Sequence, residues 1–266
     1  MIAHTLPPLV IDFLQKCQMP CIFSTSVKLS ENGISDRRWL LTIPKTSAAD
    51  AEIETIESLA MHFVEDCKGY ITETHKGSPS IQTEFQGFEQ AIKNRFGDVV
   101  CLHIGFDQEN KSEIRKFYYE YDNQCSTLQF MALKSSKDGL DLHQYKKVDP
   151  THLLRELELP SSLKILIKEL ITAAGPSLTA LDVASQKTFR RSIDLNLTEC
   201  HLDTNLKNII ARLILEVNPR AVYSLSAKYS RPSHIAIGVN ADARPFITLY
   251  GAAYWVTPDL KIELIE

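Results

Sequence analysis

RRSIDLNLTE, residues 190 to 199, alternates without a break: Ile193, Leu195 and Leu197 fall on one side, and Arg190, Ser192, Asp194, Asn196 and Thr198 on the other. Successive side chains of a β-strand point to opposite faces, so this is a strand with one apolar face and one polar face. A polar face turned to water is the ordinary outcome for a single strand. Here the pattern recurs in several other stretches, each with a Lys, Arg or Tyr on its polar side. In CIFSTSVKL the face Ser24, Ser26 and Lys28 opposes Phe23, Thr25, Val27 and Leu29. Arg38, Leu40 and Thr42 share a face in RRWLLTIP, as do Lys116, Tyr118 and Glu120 in RKFYYEY. In FITLYGAAYW, Thr248, Tyr250, Ala252, Tyr254 and Val256 oppose Ile247, Leu249, Gly251, Ala253 and Trp255.

Between these strands the apolar period lengthens to that of helices. Such segments run through Leu9 to Cys17, Ile53 to Cys67, Phe85 to Ile92, Leu163 to Ala174 and Leu206 to Val217. The remaining strands are DVVCLHIGF, LTALDVAS, AVYSLSAKY and SHIAIGVN, where His234 falls on the polar side. Residues 124 to 148 carry the weakest pattern, with a hairpin signal around Lys137-Asp138-Gly139, and no function is assigned to them.

Strand pairs thus alternate with helices, and each hairpin has one apolar face to lay against a helix. About ten such strands admit an open α+β sheet with a wet polar face, or a closed barrel with helices outside and the polar faces inside. Closure removes both sheet edges and turns the polar faces into the wall of a ligand site.

The chain has 266 residues, 44% of them hydrophobic, enough to bury a large core as one domain spanning residues 1–266. A net charge of −4 argues against a nucleic-acid footprint. The six cysteines form no CxxC pairs, which weakens both a zinc site and a disulfide framework, and they read as reduced thiols. No stretch approaches a membrane-spanning length, so a soluble cytoplasmic protein without a membrane partner is expected. P-loop, GxGxxG, HExxH and GxSxG motifs are all missing from the sequence.

The order of hairpins and helices, together with WLLTIPKTSAADAEIETIESLA (39–60), FEQAIKNRFGDVVCLHIGFDQENKSEIRKFYYEYDNQ (88–124), LTALDVASQKTFRRSIDLNL (178–197) and RPSHIAIGVNADARPFITLYGAAYW (231–255), resembles the soluble aromatic prenyltransferases of the ABBA type. The resemblance implies a closed antiparallel barrel surrounded by helices, the PT-barrel, with the reaction in its lumen. It implies as partners a prenyl diphosphate and an aromatic small-molecule or peptide acceptor, and no cofactor. Lys116 and Tyr118 match the family's K-x-Y pair, Arg190 a basic strand residue, and Tyr250 or Tyr254 the polar positions of the last strand.

The chemistry sets what such a lumen needs. A diphosphate leaving group calls for several cations in a low-dielectric cavity, for which Lys28, Arg38, Lys116, Arg190 and Lys228 are the candidates. An allylic cation calls for ring faces and dryness, which Tyr118, Tyr250 and Tyr254 offer. Glu120 or Asp194 is placed to orient the acceptor or take its proton, and Ser192, Asn196 and His234 to contact it. Each also has a plainer reading: a solvated strand end for Lys28 or Lys228, a core aromatic for Tyr250 or Tyr254, an ion pair with Arg190 for Asp194, and a satisfied interior histidine for His234. Where metal-dependent members carry an Asp on the second strand, this chain has Arg38, and it has no DDxxD stretch, so no metal is expected. Two other readings stay open: a non-catalytic barrel that binds a lipid or small molecule, and a cyclase acting on a prenyl diphosphate alone.

Overall fold

The computed structural model describes residues 20–44, 79–109, 112–122, 127–136, 139–188, 190–220, 231–240, 242–257 and 259–265, and positions 6, 11, 15 and 68. The helical patterns at 9–17 and 53–67, the strand AVYSLSAKY and its Lys228 lie outside the described residues.

Eleven strands follow in chain order: β1 (Cys21–Ser30), β2 (Gly33–Pro44), β3 (Val99–Glu109), β4 (Ser112–Tyr121), β5 (Leu128–Ser136), β6 (Gly139–Val148), β7 (Thr179–Ser185), β8 (Arg191–Asn196), β9 (His234–Val239), β10 (Pro245–Val256) and β11 (Ile262–Leu264). Each pairs antiparallel with the next, and β1 also pairs with β10, from Cys21 opposite Val256 to Ser30 opposite Phe246. This extra pairing closes the first ten strands into a barrel and leaves none of them an open edge. β11 continues the wall beside β10 above the end of β9, with Tyr254 opposite Leu264.

The described helices are α1 (Pro79–Lys93), α2 (Pro150–Glu156), α3 (Ser161–Ala174) and α4 (Thr204–Val217). Alternation along the strands and the helical stripe meet on the outside of the barrel. Val27, Leu29, Ile193, Leu195, Ile235, Ile237, Ile247 and Leu249 pack with Leu163, Ile167 and Leu170 of α3 and Leu206, Ile209 and Leu213 of α4. A second cluster joins Phe85 and Phe88 of α1 to Cys21, Phe23, Leu41, Ile43, Leu102, Tyr119, Tyr121 and Val256. Full burial of each such aliphatic side chain is worth about 1.5–3 kcal/mol, which fixes the strand register, because a slip of one residue would bring the charged faces outward.

The helix ends follow their local sequence. Asp203 caps α4 by accepting from Leu206 N at 2.8 Å, and Asn218 ends it while donating from Nδ2 to Ser30 O at 2.9 Å, which ties α4 to the β1–β2 turn. α2 was not anticipated from the sequence, although its start signal is plain: Asp149 accepts from His152 N at 2.7 Å and Pro150 follows the cap. Residues 124 to 148, left without a role above, contribute β5 and β6 to the middle of the wall.

Two irregularities decide what faces inward. Between β1 and β2, Ser26 pairs with Arg38 and Lys28 with Ser35, so Asp36 and Arg37 oppose Val27 alone. This bulge lets Ser35 and Arg38 share the inner face. Between β1 and β10, Ser26 pairs with Tyr250 and Ser24 with Ala253, so Gly251 and Ala252 oppose Thr25 alone. Beyond that point the facing of β10 reverses.

Candidate active site

The polar strand faces enclose a cavity of about 1210 Å³. Its deep end is charged because Lys116 stands opposite Gly105 on β3, whose missing side chain leaves room: a Cβ there would sit 3.2 Å from Lys116 Cβ. Lys116 Nζ donates to Asp107 Oδ2 at 2.8 Å, and Arg38 pairs with the same oxygen while its Nε donates to Ser26 Oγ at 3.3 Å. Burial raises the Asp107 carboxyl, but Lys116 and Arg38 more than offset this and hold it at about 2. Burial and the neighbouring Arg38 lower the Lys116 ammonium to about 8, against the opposing pull of Asp107.

Three further basic side chains stand beside this pair. Arg190 Cζ and Lys28 Nζ lie 4.8 and 5.0 Å from the centre of the Phe246 ring. Lys134 on β5 is pushed well below its usual range by burial and by Arg190 and Lys116. Lys134 Nζ is 3.2 Å from His143 Nδ1, whose Nε2 is 2.8 Å from Asp141 Oδ2. Burial raises the Asp141 carboxyl, but His143, the Ser185 hydroxyl and Lys134 together more than offset this and hold it at about 2. It can therefore only accept from Nε2–H, which leaves Nδ1 to accept from Lys134. Burial and Lys134 depress His143 to about 3, so the imidazole is neutral.

Moving up the strands by two residues, a rise of about 6.8 Å, replaces cations by rings. On one wall Tyr118 and Tyr145 meet edge to face at 5.9 Å, and Phe130 approaches Tyr145 at 5.7 Å and His103 at 5.6 Å. On another, His234 and Tyr250 meet at 6.0 Å. Burial raises the Tyr118 hydroxyl to about 12 and lifts those of Tyr145 and Tyr250 as well, so all three are neutral phenols at neutral pH.

Glu120 and Asp194 also border the cavity. Burial raises the Glu120 carboxyl, but the hydrogen bond from His103 and further ones from Cys101 and Gln129 bring it below its usual value. Asp194 Oδ1 is buried with no hydrogen-bond partner among the described residues, and His234 Nδ1 lies 3.6 Å from it.

Of the residues singled out in the sequence, Arg38, Lys116, Tyr118, Glu120, Asp194, Asn196, His234 and Tyr250 line the cavity. Lys28 and Arg190 join the charged end beside Phe246 rather than the cavity wall. Ser192 is on the inner face but is buried opposite Gly238, where a Cβ would come within 2.4 Å of its own Cβ. Tyr254 departs from the expected facing: past the bulge it pairs with Phe23, on the outer apolar side, while Ala253 takes the inward place opposite Ser24. The anticipated pairing of Asp194 with Arg190 is not formed; the outward Arg191 instead binds Asp182 and Glu156 at 2.9 and 2.8 Å.

Asp107, Lys134, Asp141, His143, Tyr145, His103 and Phe130 were not singled out. Their signal was present as period-two runs, His103-x-Gly105-x-Asp107 and Asp141-x-His143-x-Tyr145. Among the described residues no three His, Cys, Asp or Glu side chains are grouped to hold a metal, and no helix is long and apolar enough to cross a membrane.

No family model matches the sequence, and no curated protein matches it. Solved structures do. AnaPT from Neosartorya fischeri aligns over 86% of this chain and 77% of its own, with TM-score 0.48 and 11% identity. NotF prenyltransferase aligns over 86% and 80%, with TM-score 0.46 and 9% identity. NotF in complex with brevianamide F and DMSPP aligns over 86% and 79%, with TM-score 0.51 and 8% identity. Together with the closed ten-stranded antiparallel wall and its outer helices, the last of these shows that the chain has the prenyltransferase-barrel fold.

Proposed function

We propose that the protein transfers a prenyl group, dimethylallyl or longer, from a prenyl diphosphate to an electron-rich aromatic acceptor within the barrel. The observation that carries this is the cluster of basic side chains at one end of the cavity: Arg38 and Lys116 line it, Lys28, Lys134 and Arg190 stand beside them, and Asp107 and Asp141 lie among them. An excess of buried cations is costly in an empty site and is offset by a multivalent anion. Directly above, neutral Tyr118, Tyr145 and Tyr250 present ring faces where an allylic cation would form. The complex of NotF with brevianamide F and DMSPP supports a prenyl donor and an acceptor sharing one such lumen.

In this reading the cations bind the diphosphate and take up the charge that develops as the C–O bond breaks. The tyrosines shield the cation from water, and the acceptor occupies the space between Asp194, Asn196 and His234 on one side and Thr42, His103 and Glu120 on the other. Transfer proceeds without a metal, because the carboxylate nearest the charged end, Asp107, is already engaged by Arg38 and Lys116. A cytoplasmic setting accords with Cys21, Cys101 and Cys200, none of which is in a disulfide.

Incubation with radiolabelled prenyl diphosphates and a panel of phenols, indoles and peptides tests the proposal. A prenylated acceptor is the expected result. A cyclic terpene formed without acceptor would instead establish a cyclase, and tight binding with no turnover a ligand-binding barrel.

A further inference from the structure

We infer that Thr42, His103 and Glu120 form a proton relay that receives the proton expelled when the acceptor is alkylated, an inference that rests on the transfer reading above. Thr42 Oγ1 is 2.8 Å from His103 Nδ1, and His103 Nε2 is 3.1 Å from Glu120 Oε2. All three line the cavity, on adjacent strands β2, β3 and β4, where Thr42 pairs with His103 and His103 with Tyr118. The strand register alone therefore places hydroxyl, imidazole and carboxylate in a row at the level of the rings.

The polarity of the row follows from its far end. Glu120 is further fixed by hydrogen bonds from Cys101 and Gln129, and as a carboxylate it can only accept. It accepts from Nε2–H, which leaves Nδ1 as a lone pair facing the Thr42 hydroxyl. His103 packs edge-on to Tyr118 at 6.1 Å and at a tilt to Phe130 at 5.6 Å. A hydroxyl backed by a base that is itself oriented by a carboxylate is an arrangement built to move a proton.

The step balances as follows. The C–O bond of the donor breaks with its electron pair leaving on the diphosphate, and a π pair of the acceptor forms the new C–C bond. The ring proton then passes to Thr42 Oγ1 as the Thr42 proton passes to His103 Nδ1, and aromaticity returns. The resulting imidazolium is paired with Glu120 and later releases the proton to water. His103 and Glu120 thus act through Thr42 as positioning residues.

The test uses acceptor deuterated at the alkylated carbon, with wild type, Thr42→Val, Thr42→Ser and Glu120→Gln. Removing one positioned proton acceptor costs about 10²-fold or more in rate. Thr42→Val is expected to lose that factor in alkylated product, to acquire a primary isotope effect absent from wild type, and to keep releasing prenyl alcohol; Thr42→Ser should restore wild-type behaviour. Alkylation at the wild-type rate without an isotope effect in Thr42→Val overturns the relay alone. Absence of both product and alcohol in wild type overturns the transfer reading, and the relay with it. Nitrogen NMR of labelled histidine gives a readout independent of turnover: the Nε2–H tautomer of His103, shifted on Glu120→Gln, is expected, and an Nδ1–H tautomer overturns the relay.

Discussion

Asp107 lies between Lys116 and Arg38, with one carboxylate oxygen accepting from both. The three residues come from β3, β4 and β2, so this contact bridges three neighbouring strands at the charged end of the cavity. Asp107 is almost wholly enclosed, and it partly neutralises the cations that would otherwise repel one another. A diphosphate supplies the same service with more charge.

Asp107→Asn should therefore lower stability by about 3–5 kcal/mol, the usual cost of leaving buried charge unpaired. Added inorganic diphosphate should recover more of the thermal midpoint in the variant than in wild type, because it replaces the missing counter-charge. Thermal unfolding with and without diphosphate checks both statements. Equal shifts in the two proteins would place the diphosphate away from Asp107.

Affinity for diphosphate should fall above about pH 8. Lys116 is lowered to about 8 in the free protein, and a bound anion favours its charged form, so binding takes up a proton once the pH exceeds that value. The same shift makes the free protein gain stability between pH 8 and the ordinary lysine value of 10.5, since the unfolded chain then holds more protons than the folded one. Calorimetric titration with inorganic diphosphate in buffers of different ionisation enthalpy reads the proton uptake directly.

Tyr250 and Tyr254 should behave differently despite their even spacing. Tyr250→Ala opens the wall beside the cation and should raise prenyl alcohol relative to prenylated product, whereas Tyr250→Phe keeps the ring and most of the partition. Tyr254→Ala should leave the partition unchanged, because the bulge at Gly251–Ala252 turns that side chain to the outer face. Measurement of alcohol and product in the same reaction separates the two positions.

That bulge also marks where the sequence stopped being legible. Alternation placed Leu195 and Leu249, and the helical period Ile209, between strands and helices, as the structure has them; of Lys116, Arg190 and Tyr250, expected around one lumen, Lys116 and Tyr250 line the cavity and Arg190 stands beside it against Phe246. Parity cannot anticipate an extra residue that pairs with nothing, so the positions of β10 past the bulge, from Ala253 onward, were read on the wrong face. The β5–β6 hairpin was missed for another reason. Its inward side mixes Phe130, Ala132 and Lys134, and its outward side includes Met131 and Leu133, so neither face stands out as apolar by itself. Only closure of the barrel makes Lys134 and Asp141-x-His143-x-Tyr145 inward residues.

Metal dependence is a separate matter from charge. With Asp107 occupied by Arg38 and Lys116, turnover should persist in excess EDTA. Loss of activity on chelation, restored by Mg²⁺, would mean that Asp107 exchanges its cations for a metal when the donor binds.

The central claim is that the buried cations hold the donor's diphosphate, and calorimetric titration of wild type, Lys116→Ala and Arg190→Ala with dimethylallyl diphosphate tests it most directly. Loss of one charge-assisted contact worth about 2–4 kcal/mol predicts one site per chain in wild type, with affinity about 30- to 1000-fold weaker in each variant while the thermal unfolding of both remains cooperative. Unchanged affinity in two folded variants would contradict the account and leave these residues as framework charges.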